Sequence, residues 1–200
     1  MGIEAFYGTI VGCPLSCPGI LRDDTSNIPR GFYTQAKPGD TISLMVVAIN
    51  PGQTMTDETN LYADPDPVIK AKTHLQFVDR IYTKNIGKTF HKRLVNWLSN
   101  ILQKAPEAVF RETVYTNLVK CSTPNNKMPS LEVAKACFGQ NFRRELDYWK
   151  PKAVIALGAH CDSLLNKLGV AHHLLPHPSH REAQNYHLPF CEEIRKNLGV

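Results

Sequence analysis

Two asparagines and a histidine stand where apolar runs give out. In "VVAINPGQTM" (46–55) the run breaks at Asn50, Pro51 and Gly52; in "VYTNLVKC" (114–121) Asn117 closes a β-branched stretch; in "HHLLPHPSHR" (172–181) His177 follows a third. A carboxamide carries a donor and an acceptor together, so it can read a ligand edge that presents both or orient a water, but it cannot take up a proton as a carboxylate does. An imidazole on a loop can donate toward developing negative charge. Taken singly, each residue has a plainer reading as a turn-capping Asn or a surface His. Their repetition at three run ends is what marks them. Cysteine is the other reactive type, six in 200 residues. The N-terminus shows no secretory pattern, so these six argue less for disulfides than for buried thiols or a metal site.

The elements that would position these groups alternate in type. "ISLMVVAI" (42–49) is a continuous apolar, β-branched run of the kind that fills a central parallel strand. Phe90, Leu94, Trp97, Leu98, Ile101 and Leu102 recur at helical spacing and predict a helix over 88–104. A strand follows at 112–119. Residues 130–149 read as a helix with Leu131, Ala134, Phe138, Phe142 and Trp149 on its core face, and Glu132 and Glu145 on its wet side. Then come a strand at 152–158, a helix at 159–168, a short strand at 172–176 and a helix at 187–198. Residues 18–41 and 53–74, rich in Pro, Asp, Thr and Asn, read as long loops. The expected fold is an α/β three-layer sandwich, with a central four-stranded parallel sheet flanked by helices, in one domain over 1–200. Ligands of such sheets sit at the carboxyl ends of the strands, where Asn50, Asn117 and His177 fall.

Composition excludes little else. Hydrophobic residues make up 42% and charged residues 20%, with no run long enough to span a membrane, so a cytoplasmic protein is expected. A net charge of +5 and a pI near 8.9 lean toward an anionic partner such as nucleic acid.

"AINPG" (48–52), "VYTNLVKC" (114–121) and "HPSHR" (177–181), in that order, resemble the three signature segments of the uracil-DNA glycosylase superfamily. The first looks most like the Gly-(Ile/Met)-Asn-Pro-Gly of mismatch-specific and single-strand-selective members, with Ala48 in place of the leading Gly. The second, running on through "KCSTPNNKMPSLEVAKAC", is similar to the iron-sulfur-containing, thermophile-type branch, although Lys127 stands where that branch shows Arg. The resemblance makes Cys13, Cys17, Cys121 and Cys137 the ligands of a [4Fe-4S] cluster, with a four-thiolate zinc site as the chemical rival. The first pair is C-x3-C where the relatives show C-x2-C, and Cys161 and Cys191 are left as core thiols. The cluster would tie the N-terminal loop to the 121–137 segment, and no redox step is expected of it.

The same resemblance implies roles at the strand ends. A flipped uracil would be read by Asn117 and approached by Ile49, Gly52 and Gln53. Asn50 would orient a water, and His177 would donate to O2 of the departing base. Ser179, His180 and Arg181 would grip phosphate on a monomeric protein bound to DNA that contains uracil or another deaminated base. The iron-sulfur branch carries a carboxylate where this chain has Ile49, and Asp57 and Glu58 are the nearby acids, of a kind usually solvated. Phe90, Tyr62 and Phe77 compete as the aromatic that stacks on the base. The expected activity is hydrolysis of the uracil N-glycosidic bond by a monofunctional DNA repair glycosylase. Two alternatives remain: a weakly active or non-catalytic binder of damaged nucleic acid with the same fold, and an unrelated doubly wound enzyme acting on a nucleotide.

Overall fold

A strand with both faces covered must be apolar throughout, and Leu44–Ala48 is buried at every position. In chain order the elements are α1 (Ile3–Val11), β1 (Phe32–Tyr33), β2 (Leu44–Ala48), α2 (Pro67–Thr83), α3 (Thr89–Leu102), β3 (Thr113–Asn117), α4 (Leu131–Cys137), α5 (Arg143–Trp149), β4 (Ala153–Leu157), α6 (Ala159–Lys167), β5 (His173–Leu175) and α7 (Ala183–Leu198). The computed structural model describes residues 1–83, 89–180 and 183–199. The sheet order is β1-β3-β2-β4-β5, which places β2 at the centre. Strand β2 runs parallel to β4 with Val46 opposite Ile155, and β4 runs parallel to β5 with Ala156 opposite Leu174.

The α/β class and its helical crossovers are as the alternation of patterns predicts, but the sheet has five strands rather than four. The additional strand, β1, is two residues long and lies inside the stretch read as a loop. So short an element cannot display an alternating pattern. Within the other predicted loop, α2 begins at Pro67. Its buried positions Ala71, His74, Phe77 and Ile81 are spaced as a helix face, but a histidine and a lysine, Lys70, occupy buried sites and break the apolar signal.

Contacts divide the chain into two compact units. The first comprises Met1–Phe32, Ala48–Phe77 and Thr116–Lys150. Its core is aromatic: Phe6 stacks on Tyr148 at 4.3 Å, and Phe32 lies between Tyr7 at 5.2 Å and Trp149 at 5.1 Å. Ser130 caps α4 by accepting from Val133 N–H at 3.2 Å. A π-helical turn, Phe138–Phe142, separates α4 from α5. Glu145, expected on the wet side, is fully buried, because it lies at helical spacing between Phe142 and Trp149 on the core face, while Glu132 is exposed.

The second unit comprises Tyr33–Val47, Val78–Tyr115 and Pro151–Val200. Leu94, Trp97, Leu98, Ile101 and Leu102 form the buried stripe of α3, as their spacing predicts. That helix packs on α7, while α6 lies against β4 and β5. Among the described residues no helix is long and apolar enough to cross a membrane.

Candidate active site

In the first unit the carboxyl ends of β2 and β3 lie side by side, because Leu118 N–H donates to Ala48 C=O and Val119 N–H to Ile49 C=O, both at 2.8 Å. This register sets Asn50 and Asn117 on neighbouring strand ends. Asn50 is half-buried, and its Nδ2 donates to Thr123 Oγ1 at 3.1 Å and to Pro51 C=O at 3.2 Å. The nitrogen side of this amide is therefore committed. Asn117 is 5% exposed, and its Oδ1 is a buried acceptor with no partner among the described residues. Leaving such an atom unpaired costs roughly 1–3 kcal/mol, so it can accept from a donor brought to it.

Ile49 is half-buried, whereas Gly52 and Gln53 are exposed. A Cβ at Gly52 would meet open space, so neither strain nor crowding within the chain demands glycine there. The Gly52 carbonyl is pinned by Ser122 Oγ at 2.7 Å and Arg30 Nη1 at 3.3 Å, and Gln53 N–H donates to Asn126 Oδ1 at 3.2 Å. Asp57 is exposed, but Glu58 is not a solvated loop acid. Its carboxylate pairs with Arg30 at 3.0 Å and accepts from Tyr62 Oη at 2.9 Å and Met55 N–H at 2.9 Å. Tyr62 is consumed by that contact and buried, and Phe77 is buried in α2.

Cys13, Cys17, Cys121 and Cys137 all line one small cavity, together with Leu15, Lys120 and Asn141. Asn141, set in the π-helical turn, points its Nδ2 at Cys13 Sγ (3.5 Å) and Cys137 Sγ (3.6 Å), and Lys120 N–H donates to Cys137 Sγ at 3.3 Å. An antiparallel bridge between Leu21 and Ser122, and a bond from Arg22 to Cys13 C=O at 2.6 Å, fasten the N-terminal loop to this segment. Burial, then the neighbouring Cys137 and Cys13, push the Cys121 thiol up to about 12. Burial likewise raises Cys137, against the opposing pull of Lys120 and Asn141. Among the described residues, no group of three or more His, Cys, Asp or Glu side chains is arranged to hold a metal ion. Cys161 and Cys191, in the second unit, are buried as well.

Behind Asn117 lies a charge pair that the sequence reading did not single out. Lys120 and Glu145, 1% and 0% exposed, pair at 2.7 Å. Lysine beside Cys121 in an otherwise apolar stretch, and Glu145 midway between Phe142 and Trp149 on one helix face, were the available signals.

In the second unit His177 follows β5. Ser179 N–H donates to His177 Nδ1 at 3.3 Å, so Nδ1 is an acceptor, the ring is neutral and its proton sits on Nε2. Although the residue is exposed, packing around the ring removes water, and His180 adds like charge, both holding its pKa below the usual 6.5. Phe90 lies against the ring at 5.4 Å. Gly158, at the end of β4, has φ +81°, and a Cβ there would meet His177 Cβ at 3.1 Å, so this position requires glycine on both grounds. Arg93 on α3 donates to the carbonyls of Pro178 (2.9 Å) and His180 (3.0 Å), clamping the loop. Ser179 and His180 are exposed, and Arg181 lies outside the described residues.

Strands that alternate with helices around a mostly parallel sheet place the fold in the doubly wound α/β class. Residues 37–198 match the model of the Uracil DNA glycosylase superfamily, and the chain belongs to that superfamily. Over 76 residues, 38% of the chain, it is 37% identical to a Type-4 uracil-DNA glycosylase of Saccharolobus solfataricus, and this match spans 33% of that relative's length.

Proposed function

We propose that the protein is a monofunctional uracil-DNA glycosylase whose 1–200 segment acts as one domain, with Asn50, Asn117 and His177 serving a single flipped base. The observation that carries the reading is the buried, unpartnered Oδ1 of Asn117. It would accept N3–H of uracil while Nδ2 donates to O4; cytosine presents the reverse pattern, with a lone pair at N3. Asn50, its nitrogen held by Thr123 and Pro51, would turn its oxygen to a water facing C1′. As that water bonds to C1′, the bond from C1′ to N1 breaks and its electron pair leaves with the base. His177 Nε2–H would donate to O2, where the charge gathers, and the water proton passes to solvent because an amide cannot hold it. Ser179, His180 and Arg181 would bind phosphate, and the chain would work as a monomer. Other deaminated bases are further candidate substrates.

Cys13, Cys17, Cys121 and Cys137 would hold a [4Fe-4S] cluster, with zinc as the rival. The donor set supports this: four reduced thiols on one cavity, two of them facing the Asn141 amide and one facing a backbone N–H. The chemistry such a group supplies here is a cross-link between the N-terminal loop and the 121–137 segment.

The test is release of free uracil from single-stranded, U:G and U:A oligonucleotides by metal-replete protein. No abasic product on any of them overturns the reading. Slow turnover, or binding of uracil-containing DNA without product, would favour a damage-binding role, and one observation points that way: Glu58, the buried loop carboxylate, is already taken by Arg30, Tyr62 and Met55.

A further inference from the structure

Two opposite charges buried in full rarely add stability, because an apolar pair of similar volume does as well or better. The Lys120–Glu145 pair is buried to that degree, so its presence calls for a reason other than stability. Its hydrogen bonds supply one. Lys120 Nζ has three protons and three acceptors: Asn117 C=O at 2.5 Å, Thr116 Oγ1 at 2.7 Å and Glu145 Oε2 at 2.7 Å. Thr116 Oγ1 in turn donates to the same Glu145 oxygen at 2.8 Å. The last two residues of β3 are thus tied through Lys120 to α5, and the Lys120 backbone N–H continues the connection to Cys137 Sγ. Every donor of the ammonium is spent on this framework, yet the Asn117 side-chain oxygen is left unpartnered. The framework holds the backbone of Asn117 and leaves its carboxamide for a ligand.

We propose that Lys120 and Glu145 are positioning residues for base discrimination: they fix the end of β3 so that the Asn117 amide meets N3–H of uracil and rejects bases without it. This rests on the uracil-reading role of Asn117. A carboxamide tells donor from acceptor only if its carrier strand cannot shift, since a small displacement weakens both hydrogen bonds to the base together. The pair would set selectivity without touching the base.

The test uses the full chain carrying Lys120→Met together with Glu145→Leu, which replaces both charges by apolar groups, and Glu145→Gln as a milder second variant. Binding of free uracil is compared with that of 3-methyluracil and cytosine, alongside uracil release from DNA and thermal unfolding. The expected result is a double variant that unfolds no earlier than the parent but prefers uracil by about tenfold less or weaker still, with the loss in kcat/KM following the loss in preference. A folded double variant that keeps the parent's preference overturns the proposal, and Glu145→Gln decides in the same way if the double variant does not fold. Should the parent release no uracil from any DNA, the glycosylase reading fails by itself. The free-base preferences then judge the positioning role separately, and equal preference in parent and variants defeats it.

Discussion

At the scale of single residues, chemistry depends on protonation and on which atoms are already engaged. The bond from Ser179 N–H to Nδ1 requires His177 to be neutral, and desolvation with His180 nearby holds its pKa below 6.5. Acid protonates Nδ1 and breaks that bond. Because the folded pKa is lowered, activity should persist as pH falls through 6.5 and decline only below it; a pH profile of kcat/KM with its acid limb at or above 6.5 would contradict the assigned state. His177→Ala should reduce kcat by about 10²–10³, the usual effect of losing one donor to developing charge, measured under single-turnover conditions. Asn50 and Asn117 differ in the same respect. The first has its nitrogen committed and the second its oxygen free, a distinction that their shared residue type conceals.

At the scale of elements, two loops are held by arginines distant in sequence. Arg93 on α3 clamps the loop after β5 through two carbonyls. Arg93→Ala should lower kcat/KM by about tenfold with little change in unfolding temperature, since the contacts it loses are partly exposed; an unchanged rate would show that the loop holds itself. Arg30 joins the Gly52 carbonyl to Glu58. Glu58→Gln leaves that guanidinium without its charge partner and should cost about 3–5 kcal/mol in chemical denaturation, against the near-zero effect expected of a solvated loop acid. The helix over 130–149 was legible in its apolar spacing, but the π-helical turn was not. Glu145 was at helical spacing from Phe142 and Trp149, but a carboxylate on that face looks solvated until its distant partner Lys120 is known. Helix α2 was missed for a related reason: His74 is buried against Tyr7 at 2.6 Å, and a polar residue satisfied inside the core looks, in sequence, like a solvated one.

At the scale of the whole chain, the cysteines make the prediction. If the four thiols hold a cluster, Cys121→Ser and Cys137→Ser should each lower bound iron, and limited proteolysis should open the segment between Cys13 and Arg22. Equal iron and equal protection in both variants would leave these residues as core thiols. Membership of the superfamily rests on a match over residues 37–198, and the order of elements needed for it was visible in sequence. Apolar β-branched runs must be covered strands, a stripe at helical spacing must face a core, and polar residues at the ends of such runs must lie where parallel sheets bind ligands. Those are consequences of local pattern, and the sequence determined them by itself. The tertiary structure alone decided which polar groups are spent and which are free: that Glu58 belongs to Arg30, that Lys120 and Glu145 brace the end of β3, that Asn117 keeps an open acceptor, and that four distant cysteines share one cavity. Each of these depends on partners tens of residues away, and pairing across such separations is set by packing, which no local pattern records.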